Sequence, residues 1–212
     1  MKPPSRRYPV YLFDVDGTLV DSAPDICGAV QSVLRLNGRT DVDDAFLRTY
    51  IGKHLDDTWR DLGFPESQWA GMLAQYREIY AGRHHEKTQL YPGVLDALAA
   101  LDGSRKSTAT TKGTPTTRIV LEKFGLLPFF DHVQGTDGFP AKPDPQVILK
   151  SLEVFGVDPA DTLMVGDAES DMAAAKAAGV RVCAVRYGYG RVEALAKWNP
   201  DYWVDDLREL AV

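Results

Sequence analysis

Two aspartates one residue apart, Asp14 and Asp16, stand in the run Asp14-Val15-Asp16-Gly17-Thr18-Leu19, directly after the apolar stretch Val10-Tyr11-Leu12-Phe13. Side chains alternate along an extended chain, so both carboxylates fall on one side where a strand opens into a loop. Glycine at the next position lets the backbone turn tightly with N–H groups facing an anion, which makes Gly17 and Thr18 candidate anion donors. The same residues also suit an Asx-turn or a helix cap, and this motif alone leaves both readings open. A second acidic set, Gly166-Asp167-Ala168-Glu169-Ser170-Asp171, follows the apolar run Thr162-Leu163-Met164-Val165. The i, i+4 spacing of Asp167 and Asp171 brings them together on an opening helix, where acids are also favoured simply by the helix dipole. Taken together, four carboxylates at adjacent strand ends repel one another unless a hard cation lies among them. An oxygen-only donor set without His or Cys suits Mg²⁺.

Two more pieces carry hydroxyl and positive charge. Thr110-Thr111-Lys112-Gly113 follows the run Ser107-Thr108-Ala109, so the Thr110 hydroxyl can donate to an anionic oxygen or cap a helix. In Ala141-Lys142-Pro143-Asp144-Pro145, Lys142 is a point charge suited to a phosphate, or a solvated lysine ahead of a helix.

Positioning such groups requires strands whose ends lie side by side. The runs at 8–13, 107–110, 162–165 and 180–185 are short, and each leads through a polar or glycine turn into helix-like sequence. That alternation predicts βαβ units and an α/β fold: a doubly wound parallel sheet, Rossmann-like, with helices on both faces. Residues 22–90 differ, with helix patterns at about 24–37, 43–50, 54–62 and 66–82. Asp21-Ser22-Ala23-Pro24 reads as the entry to a helical insert and Tyr91-Pro92-Gly93 as the return. The predicted organisation is a catalytic core of residues 1–21 and 91–212 and a helical cap of residues 22–90. Trp59, Trp69 and Tyr76 are expected in the core of the cap. Adjacent His84 and His85 point apart on a helix and are expected at the surface. Asp41, Asp43, Asp44, Asp56 and Asp57 read as solvated faces and helix starts.

Composition narrows the function classes. Of 212 residues, 44% are hydrophobic and 25% charged, which excludes a disordered or collagen-like chain. A net charge of −6 without a basic block disfavours nucleic-acid binding. No window approaches the roughly 20 apolar residues of a membrane span, and the first apolar run stops at Asp14, short of a signal-peptide core. Cys27 and Cys183 have neither CxxC nor metal-ligand spacing, so two reduced thiols in a cytoplasmic protein are expected.

The ordered set DVDGT at 14–18, Thr110, Lys142-Pro143 and GDAESD at 166–171 resembles the four motifs of the haloacid dehalogenase superfamily phosphotransferases, over essentially the whole chain. The stretch DVDGTLVDSAPD at 14–25 is most similar to phosphoglycolate phosphatases and their relatives with a helical cap. Thr111 stands where those relatives usually have Asn, and Ala168 where they often have Ser or Thr. The resemblance implies a Mg²⁺-dependent phosphatase of a small phosphomonoester, with Asp14 as nucleophile forming an aspartyl phosphate and Asp16 as acid and base. It further implies that Asp14, Asp167 and the backbone carbonyl of Asp16 hold the metal, with Asp171 orienting its water or Lys142. Thr110, Lys142 and loop groups at Gly17, Thr18 and Thr111 would bind the phosphoryl oxygens. The turn Tyr50-Ile51-Gly52-Lys53-His54 resembles a specificity loop of such caps, so Lys53 or His54 is expected to reach a substrate carboxylate. The expected partner is a small-molecule phosphate ester, and the expected assembly a monomer or homodimer.

Rivals within the superfamily are distinguishable by residue. A dehalogenase does not need Asp16 and Asp167. A phosphonoacetaldehyde hydrolase-like enzyme uses a cap lysine, for which Lys53 would be a candidate, but lacks an acid at the Asp16 position. A β-phosphoglucomutase-like phosphotransferase carries a hinge histidine where this chain has Ile26. A non-catalytic phospho-ligand binder would not need the intact acid, lysine and threonine set.

Overall fold

The computed structural model describes residues 2–211. In chain order its elements are β1 (Val10–Phe13), β2 (Val20–Asp21), α1 (Ala23–Leu36), α2 (Asp44–Arg48), α3 (Leu55–Asp61), α4 (Glu66–Gly82), β3 (Gln89–Leu90) and α5 (Val94–Ala100). They continue with β4 (Arg105–Thr108), α6 (Thr114–Lys123), α7 (Gln146–Phe155), β5 (Thr162–Gly166), α8 (Glu169–Ala178), β6 (Arg181–Val185), α9 (Val192–Ala196) and β7 (Tyr202–Val204). Five strands form one sheet in the order β4-β1-β5-β6-β7, and every pairing within it is parallel. The chain winds outward in both directions from β1, so the strand order reverses there and leaves a crevice at the carboxyl ends of β1, β4 and β5.

Alternation along β1 explains its unbroken apolar sequence. Tyr11 and Phe13 pack into one buried cluster with Val94, Leu98, Val120 and Leu121, while Val10 and Leu12 pack into another with Val147, Ile148, Met172 and Ala175. A strand covered by helices on both faces needs apolar side chains at every position, each worth roughly 1.5–3 kcal/mol when fully buried.

Between β2 and β3, which pair antiparallel, the chain forms four helices. Their apolar faces meet in a third cluster of Ala23, Cys27, Val30, Val33, Leu34, Leu47, Ile51, Trp59 and Met72, with Trp69 and Tyr76 packed against it. The spacing of the α1 members is that of one helical face. Asp43 caps α2 by accepting from the Phe46 N–H at 2.8 Å, and Asp44, Asp56 and Asp57 occupy first helical turns.

Three expectations need correction. The strand expected at 107–110 runs two residues earlier, as Arg105–Thr108, because its polar side chains find partners: Lys106 Nζ donates to the Ser104 carbonyl at 2.8 Å, and Thr108 Oγ1 to the Gln134 carbonyl at 3.0 Å. β7 and the β2–β3 pair were not anticipated; at two or three residues they are too short to show a period. His85 is not at the surface. It is 4% exposed, because α4 ends before it and both His84 (φ 48°) and His85 (φ 51°) turn into the left-handed region, folding the chain back against Tyr80. Both cysteines are buried free thiols, and among the described residues no helix is long and apolar enough to cross a membrane.

Candidate active site

Strand register brings the acidic motifs together. Phe13 lies opposite Thr108 on one side and Val165 on the other, and the ladder continues with the Asp14 N–H donating to the Val165 carbonyl and the Ala109 N–H to the Phe13 carbonyl. Asp14, Thr110 and Asp167 therefore leave the sheet at the same end, within one or two residues of the last ladder bond. Asp14, Asp167 and Asp171 each offer a carboxylate oxygen within 4.8 Å of the others, and all three are buried.

Lys142 enters this cluster from the loop before α7. Its ammonium donates to Asp14 Oδ1 at 2.9 Å, Asp171 Oδ1 at 2.5 Å and the Ala109 carbonyl at 2.8 Å, so all three of its protons are used. Burial opposes the charge, but Asp14 and Asp171 outweigh it and hold Lys142 above the ordinary lysine value. Asp171 is fixed from its other side, accepting from the Ala168 N–H at 2.9 Å.

Asp167 is gripped by backbone and hydroxyl donors. It accepts from Thr18 Oγ1 at 3.0 Å and from the Tyr189 N–H at 2.8 Å. Gly17 and Gly188 press so closely on its side chain that a Cβ at either would collide with it, and Gly17 also has a φ of +93°, a combination only glycine supplies. Burial first, then the neighbouring Asp14 and Asp171, hold Asp167 well above the usual carboxylate range. Burial likewise pushes Asp14 up to about 6, with Lys142 opposing and Asp171 and Asp16 adding to the rise. One lysine thus faces three mutually repelling, buried, oxygen-only donors, an arrangement that fits a divalent hard cation such as Mg²⁺.

Asp16 is held separately. Its Oδ1 accepts from Ser22 Oγ at 2.6 Å, and its Oδ2 lies 3.1 Å from Lys112 Nζ. Thr110 is fully buried, its Oγ1 accepting from the Lys112 N–H at 3.3 Å; Thr111, beside it, is half-buried. The Gly17 N–H donates to the Val20 carbonyl, and the Thr18 hydroxyl is used on Asp167, so in this structure both residues shape the loop. Lys53 and His54 do not join the acids. The Lys53 ammonium, exposed, lies 4.7 Å above the half-buried Tyr50 ring, and His54 caps α3, its Nδ1 3.0 Å from Asp56. The same turn touches the core through Gly52 instead, whose carbonyl accepts from Ser170 Oγ at 3.1 Å.

Three side chains around the site, Lys112, Tyr189 and Asp25, were given no role by the sequence, and a fourth, His85, was expected at the surface. Lys112 pairs with Asp16. Tyr189 links Asp167 to the start of the insert, its hydroxyl accepting from the Ser22 and Ala23 N–H groups at 2.8 and 2.9 Å and donating to Asp21 Oδ1 at 2.8 Å. Asp25, buried at the first turn of α1, accepts from Arg83 Nε at 3.1 Å, the Lys87 N–H at 2.9 Å and Thr88 Oγ1 at 2.8 Å, tying the entry of the insert to its exit. His85 lies beneath Tyr80, ring centroids 5.1 Å apart, with a buried Nδ1 that has no partner. A lysine two residues past Thr110 and an aspartate next to a Pro-capped helix start were the available signals.

The comparisons with known proteins agree with this geometry. Residues 11–185 match the family model for haloacid dehalogenase-like hydrolases. The chain is similar to phosphoglycolate phosphatase 1 of Pseudomonas aeruginosa, 37% identical over 210 residues covering 94% of this chain and 77% of that protein. It is also similar to a phosphoglycolate phosphatase of Nitrosospira multiformis, 35% identical over 208 residues covering 93% and 92% of the two chains. Among solved structures, a haloacid dehalogenase-like family hydrolase from Streptococcus pneumoniae superposes with a TM-score of 0.88 at 27% identity, covering 95% of each chain. With the strand-end acids, the lysine clamp and these matches in agreement, the chain belongs to the haloacid dehalogenase-like hydrolases.

Proposed function

We propose that the protein is a Mg²⁺-dependent phosphatase that hydrolyses a small, phosphoglycolate-like phosphomonoester through an aspartyl phosphate on Asp14. The observation that carries this reading is the Lys142 clamp. Its ammonium engages one oxygen of Asp14 and anchors Asp171, leaving the second Asp14 oxygen for in-line attack on phosphorus. Asp14, Asp167 and the Asp16 carbonyl would hold the metal, with Asp171 in support; when bound, it supplies positive charge that lets a phosphate dianion approach the buried carboxylates.

The rest of the chemistry belongs to side chains. Asp16, held by Ser22, protonates the leaving oxygen and then takes a proton from the water that hydrolyses the phosphoenzyme. On substrate binding Lys142 turns the proton it gives the Ala109 carbonyl towards a phosphoryl oxygen, and Thr110 donates to another, as charge shifts between the attacking and leaving atoms. Residues 22–90 act as a cap that limits water at the acyl phosphate, consistent with the near-complete burial of Asp14 at 2% exposure. The relatives named phosphoglycolate phosphatase support a small acidic ester as the substrate class.

The test is a screen of the purified protein with Mg²⁺ against phosphoglycolate, sugar phosphates, nucleotides, pyrophosphate and phosphonoacetaldehyde, read as kcat/KM. Highest kcat/KM on a small phosphomonoester is expected. Preference for phosphonoacetaldehyde, or no turnover of any phosphomonoester, would overturn the assignment.

A further inference from the structure

The phosphoryl chemistry leaves Lys112, beside Asp16 at the strand ends, without a role. Lys112 has only 9% of its side chain exposed, and its ammonium lies 3.1 Å from Asp16 Oδ2 and 3.0 Å from the Tyr80 hydroxyl, 4.6 Å above the Tyr80 ring. Tyr80 belongs to α4 of the helical insert and stacks on Tyr76, ring centroids 5.4 Å apart with 11° between planes. Asp16 and Lys112 belong to loops at the strand ends. The ammonium therefore sits on the seam between insert and sheet, backed by aromatic rings.

We infer that Lys112 is a specificity-determining residue whose ammonium binds a carboxylate on the leaving group, selecting small phosphomonoesters with an acid group one or two carbons from the ester oxygen. The inference rests on the phosphatase reading, because it takes Asp16 as the group that protonates the leaving oxygen.

Distance is the first argument. A proton donor must come within about 3 Å of the atom it protonates, so an ammonium 3.1 Å from Asp16 lies no more than roughly 6 Å from the leaving oxygen. A carboxylate on the adjoining carbon falls inside that reach. Charge is the second. The Lys112 ammonium is almost fully withdrawn from water and meets Asp16 Oδ2 and the Tyr80 hydroxyl on the seam. Taking a buried ammonium from water is costly unless it is paired; this one is already paired, so a substrate carboxylate meets a desolvated, oriented cation. Size is the third. Tyr76, Tyr80 and His85 form a continuous aromatic wall behind the lysine, favouring a compact leaving group. Lys53, the cationic side chain of the cap turn, is exposed and lies over Tyr50.

A lysine that only latched the insert would affect all esters alike, and the experiment separates the two roles. Phosphoglycolate and 2-hydroxyethyl phosphate, which differ by the carboxylate, are compared in wild type, Lys112→Met and Tyr80→Phe with Mg²⁺, and p-nitrophenyl phosphate reports phosphatase chemistry without a carboxylate. Wild type is expected to prefer phosphoglycolate. Lys112→Met should reduce the ratio of the two kcat/KM values on the order of 100-fold, mainly through KM for phosphoglycolate. Tyr80→Phe, which keeps the ring and loses the hydroxyl that orients the ammonium, should reduce the ratio several-fold, and carries the test if Lys112→Met does not fold. A wild type active on p-nitrophenyl phosphate but indifferent to the carboxylate, or a ratio left unchanged by whichever variants fold, would overturn the Lys112 proposal alone. A wild type inert towards all three esters would overturn the phosphatase reading and this proposal with it.

Discussion

Ser22 Oγ donates to Asp16 Oδ1 across 2.6 Å, joining the first residue of the helical insert to the carboxylate to which we assign the proton transfer. Ser22 itself is held through its N–H by Tyr189. The position of the insert and the orientation of Asp16 are therefore set by one short chain of bonds.

Ser22→Ala should remove that orientation without disturbing the phosphate-binding groups. A single hydrogen bond to a charged acceptor is worth about 1.5 kcal/mol, so kcat should fall roughly tenfold with KM little changed. Steady-state kinetics on an alkyl ester checks this; the loss should shrink with p-nitrophenyl phosphate, whose leaving group needs less protonation.

Tyr189→Phe should destabilise the fold more than its partial exposure suggests. Its hydroxyl satisfies two backbone donors and Asp21, and the variant leaves these without their partner. A loss of about 2 kcal/mol is expected in urea unfolding, while the Tyr189 N–H bond to Asp167 persists because it comes from the backbone.

Asp25 gives stability a defined acid limit. Burial pushes its carboxyl up, but hydrogen bonds from Thr88, the Lys87 N–H and Arg83, together with the Arg83 charge, outweigh it and hold the folded value below 3.8. A depressed carboxylate contributes its full stability above the unfolded value and loses it as pH falls through the folded one. Wild type should therefore lose stability below about pH 4 more steeply than Asp25→Asn, which should be less stable than wild type at neutral pH. Equal acid slopes in chemical unfolding would contradict the assignment.

Cation dependence follows from three buried carboxylates gathered together with one lysine that bonds only two of them. Chelation should abolish activity and Mg²⁺ restore it, while Ca²⁺, with its larger and more flexible coordination sphere, should restore little. Mg²⁺ should also raise the melting temperature of wild type, and raise it much less for Asp167→Asn. Full activity in metal-free buffer would contradict this.

How much of this was legible in the sequence depended on whether each feature is local. β1 could be read because each of its residues is buried on one face or the other, and α1 because Ala23, Cys27, Val30 and Val33 fall on one side of a helix. Asp14, Asp167 and Lys142 could be picked out from motif order, and parallel register then brings Asp14 and Asp167 to the same sheet end. Lys112 and Tyr189 could not be assigned partners, since Lys112 meets Tyr80 only across the seam and Tyr189 reaches Ser22 only after the sheet has formed. β4 was displaced because Arg105 and Lys106 look like loop residues until Asp131 and the Ser104 carbonyl are placed beside Lys106. His85 was misplaced because left-handed backbone at two successive non-glycine residues is uncommon, so the helical pattern was carried through it.

The most direct test of the central claim is a rapid-quench reaction of Asp16→Asn with p-nitrophenyl phosphate and Mg²⁺, followed by peptide mapping. Phosphoenzyme formation with this leaving group needs little protonation, whereas its hydrolysis needs the Asp16 base. The expected result is a burst of p-nitrophenolate approaching one per active site, with the phosphoryl group on the peptide containing Asp14 and no burst in the Asp14→Asn, Asp16→Asn double variant. Turnover without a phosphorylated Asp14 peptide, or a phosphoryl group trapped on another residue, would contradict Asp14 as the nucleophile.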